Sequence, residues 1–351
     1  MRKVAINGRI FEFPLTGVGR FCVETIKQID RMDTQHSFVL LIPSDVYNIP
    51  KLKNIEVRLL KPFRGIVWEQ ITLPFYAVRN NMILLNMSNS IPIVKPDNVV
   101  IHDISLKVNK KETSSIKEKI KIYWPLLHYE ISAKFAQNIF TVSEFQKNEI
   151  IREYGTSAEK IQVVYNGWQH MGNIDEDASV LERYFLEKGK YYFAVSTRAK
   201  NKNFKWVMEV AKRNPLDVFV IAGKLDSKYF VDNINFGEKS NIKTTGYLSD
   251  PEIKALMKNC KAFLYPSLYE GFGIPPLEAI SVGAKVIISN VSCLPEIYKD
   301  SAYYINPYNF DEDLNALLDH EVKDGKTILD EYSWERTASI IVNTMKEQLF
   351  Y

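Results

Sequence analysis

Cysteine is scarce in this 351-residue chain: Cys22, Cys260 and Cys293 are odd in number and widely spaced. That spacing gives neither a disulfide framework nor a zinc-ligand pattern, and it fits a reducing cytosol. An excess of one charge is lacking as well. Against 42 acidic residues stand 45 lysines and arginines, and a formal net charge of +3 is too small to argue for nucleic acid as a partner. No run of about 18 apolar residues occurs, so any membrane contact is expected to be peripheral. No charged-then-apolar leader precedes Lys3-Val4-Ala5-Ile6, and internal repeats and low-complexity tracts are absent. What is present is the 46% hydrophobic and 25% charged composition of a globular protein. The length is enough for two domains, each able to bury its own core.

The densest signal lies between Ala262 and Pro295. Ala262-Phe263-Leu264-Tyr265 reads as a short buried strand that Pro266 ends, and a glycine-bearing turn, Glu270-Gly271-Phe272-Gly273, follows. Pro275 and Pro276 suit a first helical turn and Gly283 the position past a helix end, which predicts a helix over 276–282. Lys285-Val286-Ile287-Ile288-Ser289 then completes strand, helix, strand, the unit of a parallel sheet covered by helices. Glu270 closes the turn at the carboxyl end of the first strand, and Glu278 falls in the first turn of the predicted helix. Ligands of open α/β sheets bind outside the carboxyl ends of strands, so both carboxylates are expected to face one crevice. The backbone N–H groups of Gly271, Phe272, Gly273 and Ile274 offer donors to an anion there. A carboxylate beside a phosphate would repel it, so the two glutamates are read as accepting hydrogen bonds from hydroxyls of a sugar and a ribose. Spacing alone equally allows an ordinary turn with two solvated glutamates.

Elsewhere the chain alternates strands with helices. Strands are predicted at 3–7, 38–42, 55–60, 83–87, 98–103 and 138–143, and helices at 17–29, 68–78, 120–139 and 144–154. In the second half, Asp250 is read as the cap of a ten-residue helix. Gly17 and Gly19, in Thr16-Gly17-Val18-Gly19-Arg20, let the backbone approach a ligand at a helix start. A dinucleotide fingerprint would want a third glycine at position 22, where Cys22 stands, so an oxidoreductase reading is weak. His102 ends an apolar strand, and Asp103 is placed to orient its ring. Arg198, Lys200 and Lys202 put three cations in five residues at a strand end, which suits a diphosphate. The lysine-rich stretch 107–121 and the aromatic helix after it are either a solvated face or a basic surface that meets anionic lipid.

Glu270-Gly271-Phe272-Gly273-Ile274-Pro275-Pro276-Leu277-Glu278 resembles the E-x7-E signature of the family 4 retaining glycosyltransferases. The flanks Thr245-Gly246-Tyr247-Leu248-Ser249-Asp250 and Leu294-Pro295-Glu296 match it too, and the resemblance extends more weakly over nearly the whole chain. It implies the α/β class and the GT-B fold, two Rossmann-like domains facing a cleft. Residues 1–170 would form the acceptor side and 171–332 the nucleotide-sugar side, with 333–351 a closing helix that crosses back to the first domain. The resemblance implies retaining transfer of a hexosyl or deoxyhexosyl group, of mannosyl, rhamnosyl or glucosyl type, from a nucleotide diphosphate sugar. The acceptor would be a glycan or a lipid-pyrophosphate-linked hydroxyl in polysaccharide biosynthesis, at or near the cytoplasmic membrane leaflet. Neither cofactor nor metal is implied. Among site residues, Lys202 would meet the diphosphate, aided by Arg198 or Lys200. Gly17 and Gly19 would border it, Glu270 and Glu278 would hold sugar and ribose, and His102 would position the acceptor or the donor sugar. Two other readings stay open: a non-catalytic GT-B partner subunit and a nucleotide-sugar epimerase.

Overall fold

Continuous apolar runs are what strands buried on both faces require, and the computed structural model places such runs in two all-parallel sheets. The structure describes residues 2–349 except 34, 36, 48, 110–114, 196–199 and 224–240. Arg198 and residues 110–114 of the lysine-rich stretch therefore lie outside the described residues. Contacts divide the chain into two units, one running to Asn166 and resuming at Trp334, the other spanning Gly167–Ser333.

The first unit holds β1 (Val4–Asn7), β2 (Phe38–Ile42), β3 (Glu56–Leu59), β4 (Ile83–Asn86), β5 (Asn98–Ile101), β6 (Asn138–Thr141) and β7 (Ile161–Val163). Their order is β3-β2-β1-β4-β5-β6-β7. Inner strands such as β1, β2, β4 and β5 are buried at every residue, whereas β3 exposes Glu56 and Leu59 on the edge. Trp68, Leu41, Leu84 and Ala5 share one core cluster, and each such large side chain contributes about 1.5–3 kcal/mol on burial. The closing helix, Trp334–Leu349, packs within this unit. Trp334 meets the ring of Phe21 edge-on at 6.0 Å, and Gln348 donates to the Asn98 carbonyl oxygen Oδ1 at 3.0 Å.

The second unit holds β8 (Tyr191–Val195), β9 (Val218–Ala222), β10 (Ile242–Gly246), β11 (Ala262–Tyr265), β12 (Val286–Ser289) and β13 (Tyr303–Ile305). Their order is β10-β9-β8-β11-β12-β13. Its core gathers Trp206, Phe219, Tyr192 and Leu264. In each sheet the order reverses beside the first strand, between β1 and β4 and between β8 and β11, and crevices for ligands open at such points.

Several boundaries differ from those read in the sequence, for local reasons. The helix expected over 120–139 runs Ile116–Phe135, because Asn138 and Ile139 pair with Asn98 and Val99 and the sheet register overrides the helical pattern. The segment expected over 68–78 is helical from Gly65 to Arg79 and contains a π-helical turn at Trp68–Thr72. Pro74, just beyond that turn, has no N–H to continue an α-helical ladder. Ser249, not Asp250, caps the helix Asp250–Asn259, since it forms a reciprocal capping box with Glu252. The helix expected from Pro276 begins at Ile274, with Gly273 as its cap in the left-handed conformation, so Glu278 lies past the first turn.

Candidate functional site

At the carboxyl end of β8 the chain makes a short 3-10 turn, Lys200–Lys202, and at the end of β11 comes Glu270. The two ends of this switch point are joined by one ammonium. Lys202 Nζ donates to Glu270 Oε1 at 2.7 Å and to Tyr265 Oη at 2.7 Å, and stands 4.8 Å from the centre of the Tyr265 ring. Among the described residues the third N–H of Lys202 has no partner. Tyr265 is buried, and burial first, then the Glu270 carboxylate, pushes its phenol well up, so it stays protonated. The turn itself is tied down from both sides: the Asn201 carbonyl accepts from Leu268 N–H at 2.7 Å, and Asn201 Nδ2 donates to the Tyr269 carbonyl at 2.9 Å.

The turn after Glu270 is built for close packing. Glu270 N–H donates to Ser292 Oγ at 3.2 Å. The Phe272 ring points into the unit, edge-on to Tyr332 at 5.5 Å, so of this residue only the backbone remains for a ligand. Gly273 has φ +86°, and a Cβ there would come within 2.8 Å of Leu294 Cδ2. The buried Tyr298 hydroxyl donates to the Gly273 carbonyl and takes a backbone hydrogen bond from Leu277. Pro275 and Pro276 carry no N–H, which leaves Ile274 with the one amide N–H among the first three residues of the helix. Glu278 is held by a residue of another element: Oε1 lies 2.8 Å from Nε2 of His170, a buried ring on the 3-10 turn Gln169–Asn173.

In the first unit the helix Gly17–Met32 starts after β1, and Thr16 caps it by accepting from Gly19 N–H at 3.3 Å. A Cβ at Gly17 would meet nothing within 4 Å, whereas at Gly19 it would stand 3.3 Å from Leu15 Cδ1. Phe21 of this helix packs edge-on against the His102 ring at 4.7 Å, which brings the glycine turn and the histidine into one neighbourhood. His102 Nε2 lies 3.0 Å from the Met87 carbonyl and so carries its proton there. Asp103 does not orient the ring as expected, because its carboxylate accepts from the N–H (2.9 Å) and hydroxyl of Ser105. Burial lowers the His102 pKa despite the opposing pull of the Met87 carbonyl and Asp103, so the ring is neutral near pH 7. Among the described residues no group of three His, Cys, Asp or Glu side chains is placed to hold a metal ion. Cys22, Cys260 and Cys293 are all free thiols.

Residues 181–333 match the family described as Glycosyl transferases group 1. Over 98% of the chain, the sequence is 25% identical to O-antigen chain mannosyltransferase B of Escherichia coli, 99% of which is covered. Residues 181–333 thus carry the match to a glycosyltransferase family, and the chain has the GT-B fold. Its fold superposes on sucrose-phosphate synthase of Thermosynechococcus elongatus with a TM-score of 0.75 at 14% identity, covering 100% of this chain and 99% of that one. Anabaena HepE, solved with UDP and glucose, has the same fold, with a TM-score of 0.72 at 15% identity and 99% and 100% coverage.

Of the residues that the sequence reading set around one crevice, the structure brings Lys202 and Glu270 together in the second unit, and the helix start at Gly17 and Gly19 near His102 in the first. The sequence reading missed His170, which falls in a stretch that reads only as the exit from the Asn166-Gly167 turn. It also missed Glu69, fully buried in the π-helical turn and treated below. A glutamate directly after a tryptophan in an otherwise apolar helix was the signal available.

Proposed function

We propose that the glycosyltransferase moves a hexosyl or deoxyhexosyl group, of mannosyl type, from a nucleotide diphosphate sugar to a hydroxyl, with retention at the anomeric carbon. The acceptor in this reading is a glycan or a lipid-pyrophosphate-linked sugar in polysaccharide assembly. The observation that carries it is the Lys202–Glu270 pair at the β8–β11 switch point, beside a helix start capped by Gly273. The uncommitted N–H of Lys202 meets the diphosphate and offsets the charge that grows as it leaves, with Arg198 or Lys200 as helper. The amides of Gly271 to Ile274 border the same group, and Gly17 and Gly19 open the helix start of the first unit to a ligand. Glu270 takes sugar hydroxyls, and Glu278, steadied by His170, takes the ribose. His102, neutral and fixed by Met87, positions a hydroxyl of acceptor or sugar. Neither metal nor cofactor enters the reading.

The test is release of nucleoside diphosphate from GDP-mannose, UDP-glucose and dTDP-rhamnose, with and without acceptor; failure with every donor would favour a non-catalytic partner subunit. Interconversion of donor epimers without release would favour an epimerase. Glu278→Ala is expected to weaken donor binding about 10–100-fold, the worth of one or two charge-assisted hydrogen bonds. Calorimetry reads this directly, and unchanged affinity would remove Glu278 from the ribose.

The membrane-side part of the reading is supported by the helix Ile116–Phe135, which exposes Ile120, Tyr123 and Leu127 at helical spacing, with Lys121 exposed alongside. Co-sedimentation with phosphatidylglycerol vesicles is expected and should fall when Ile120 and Tyr123 are both changed to Ser. Equal sedimentation of the variant would place the contact elsewhere. No helix among the described residues is long and apolar enough to cross a membrane.

A further inference from the structure

The first unit has its own switch point, between β1 and β4, and a polar cluster fills it that the donor reading does not use. At its centre is Glu69, 0% exposed, delivered there by the π-helical turn Trp68–Thr72. Such turns are frequent at functional sites. Glu69 Oε1 accepts from Asn7 Nδ2 at 3.0 Å and from Ser90 Oγ at 2.7 Å, while Oε2 accepts from Arg9 Nη1 at 2.7 Å. Asn7 and Asn86 are the last residues of β1 and β4, and Asn7 also donates to Asn86 Oδ1 at 3.0 Å. Behind them lies His128, 1% exposed, whose Nδ1 accepts from Ile91 N–H at 3.0 Å. Its proton is therefore on Nε2, and that N–H is buried with no partner among the described residues. Arg9 Nε is also buried without a hydrogen bond, with the Glu12 carboxylate 3.7 Å away. Burial lowers the His128 pKa, against the pull of Glu69, so this ring is neutral. Orphaned donors are costly inside a fold, and two in one switch-point cluster point to a ligand.

We propose that Arg9 and Ser90 form a subsite for a neutral sugar hydroxyl of the acceptor, with Glu69 as the residue that positions both. The proposal rests on the glycosyl-transfer reading given above for its substrate, but on none of the residues assigned to the donor. The choice of ligand follows from proton accounting. Glu69 takes the single proton of Ser90, so the Ser90 oxygen has only lone pairs to offer, one of them toward the Ser88 hydroxyl 3.3 Å away and the other free for a ligand proton. Arg9 can only donate. A hydroxyl satisfies both at once, donating to Ser90 and accepting from Arg9. An anion has no proton for Ser90, and it would find the Arg9 charge already balanced by Glu69 at 2.7 Å. The mouth is open where it must be: the Arg9 side chain is 17% exposed, and Ser88 and Ser90 are half-buried on the loop after β4.

The test uses the full chain, with methyl α-D-mannopyranoside and mannose 6-phosphate as probes in saturation-transfer NMR, and GDP in calorimetry as a control on the second unit. The neutral glycoside should bind more tightly than the phosphorylated sugar. Glu69→Gln and Arg9→Ala should each weaken the glycoside about tenfold, the loss expected for one charge-assisted hydrogen bond. Arg9→Lys should keep part of the affinity, and GDP affinity should stay within about twofold, since the two sites share no residue. Should Glu69→Gln fail to fold, Ser90→Ala, which removes only a half-buried hydroxyl, carries the same expectation. The proposal is overturned if wild type binds no methyl hexoside, if it prefers the phosphorylated sugar, or if glycoside and GDP affinity fall together in the variants. If wild type binds no nucleoside diphosphate while glycoside binding still depends on Glu69, the donor reading fails and the subsite stands.

Discussion

Lys202→Ala is expected to lower kcat by about 10²–10³-fold, the effect of removing one preorganised charge from a developing anion. Lys202 spends two of its three protons on Glu270 and Tyr265, which leaves one uncommitted among the described residues. A second consequence accompanies the first. The side chains of Lys202 and Glu270 are only 16% and 12% exposed, so the variant takes a cation away from a largely buried carboxylate. Full burial would make that cost several kcal/mol; partial exposure reduces it to about 1–3 kcal/mol, seen as a fall in Tm. The two effects separate in the double variant Lys202→Met with Glu270→Gln. Stability should return, because the carboxylate charge goes with its cation, while turnover should not. Nucleoside diphosphate release and calorimetric Tm measure the pair. Turnover of the single variant within tenfold of wild type would remove Lys202 from the diphosphate.

How much of this was legible in the sequence depends on how local the cause is. Parallel strands buried on both faces are short apolar runs, so β1, β2, β8 and β11 are visible as letters. Lys202 and Glu270 were found because each follows such a run, and strand ends in a parallel sheet share one edge. The start of the helix at Ile274 was misjudged because two prolines suggest a first turn, but the left-handed Gly273 had already begun it. Ser249 and Asp250 are both good caps, and only the reciprocal bond to Glu252 decides between them. The contacts of His170 with Glu278, and of Glu69 with Asn7 and Arg9, join residues 108, 62 and 60 positions apart. No periodicity encodes such pairs. Asp103 shows the converse error: adjacency suggested a partner for His102, but Ser105, two residues on, closes a tighter local ring with it.

Gly273→Ala should be strongly damaging to the second unit, and Gly283→Ala is its natural control. Both glycines have φ +86°, where an L side chain costs about 1–2 kcal/mol. At Gly283 the new methyl would meet nothing within 4 Å, so that strain is the whole cost. At Gly273 the methyl would also press to 2.8 Å on Leu294, which is itself fully buried and cannot swing into solvent. Overpacking of this kind adds about 1–3 kcal/mol. The two variants should therefore differ in Tm by the packing term alone. Donor affinity supplies the second readout. Gly273 fixes where Glu270 ends and where Ile274 begins, so in the present reading its displacement weakens donor binding about tenfold or more, as a shift of near 1 Å does at a preorganised site. Gly283 sits at the far end of the same helix and should leave donor affinity unchanged. Equal donor affinity in the two variants would mean that the turn after β11 shapes the fold without shaping the site.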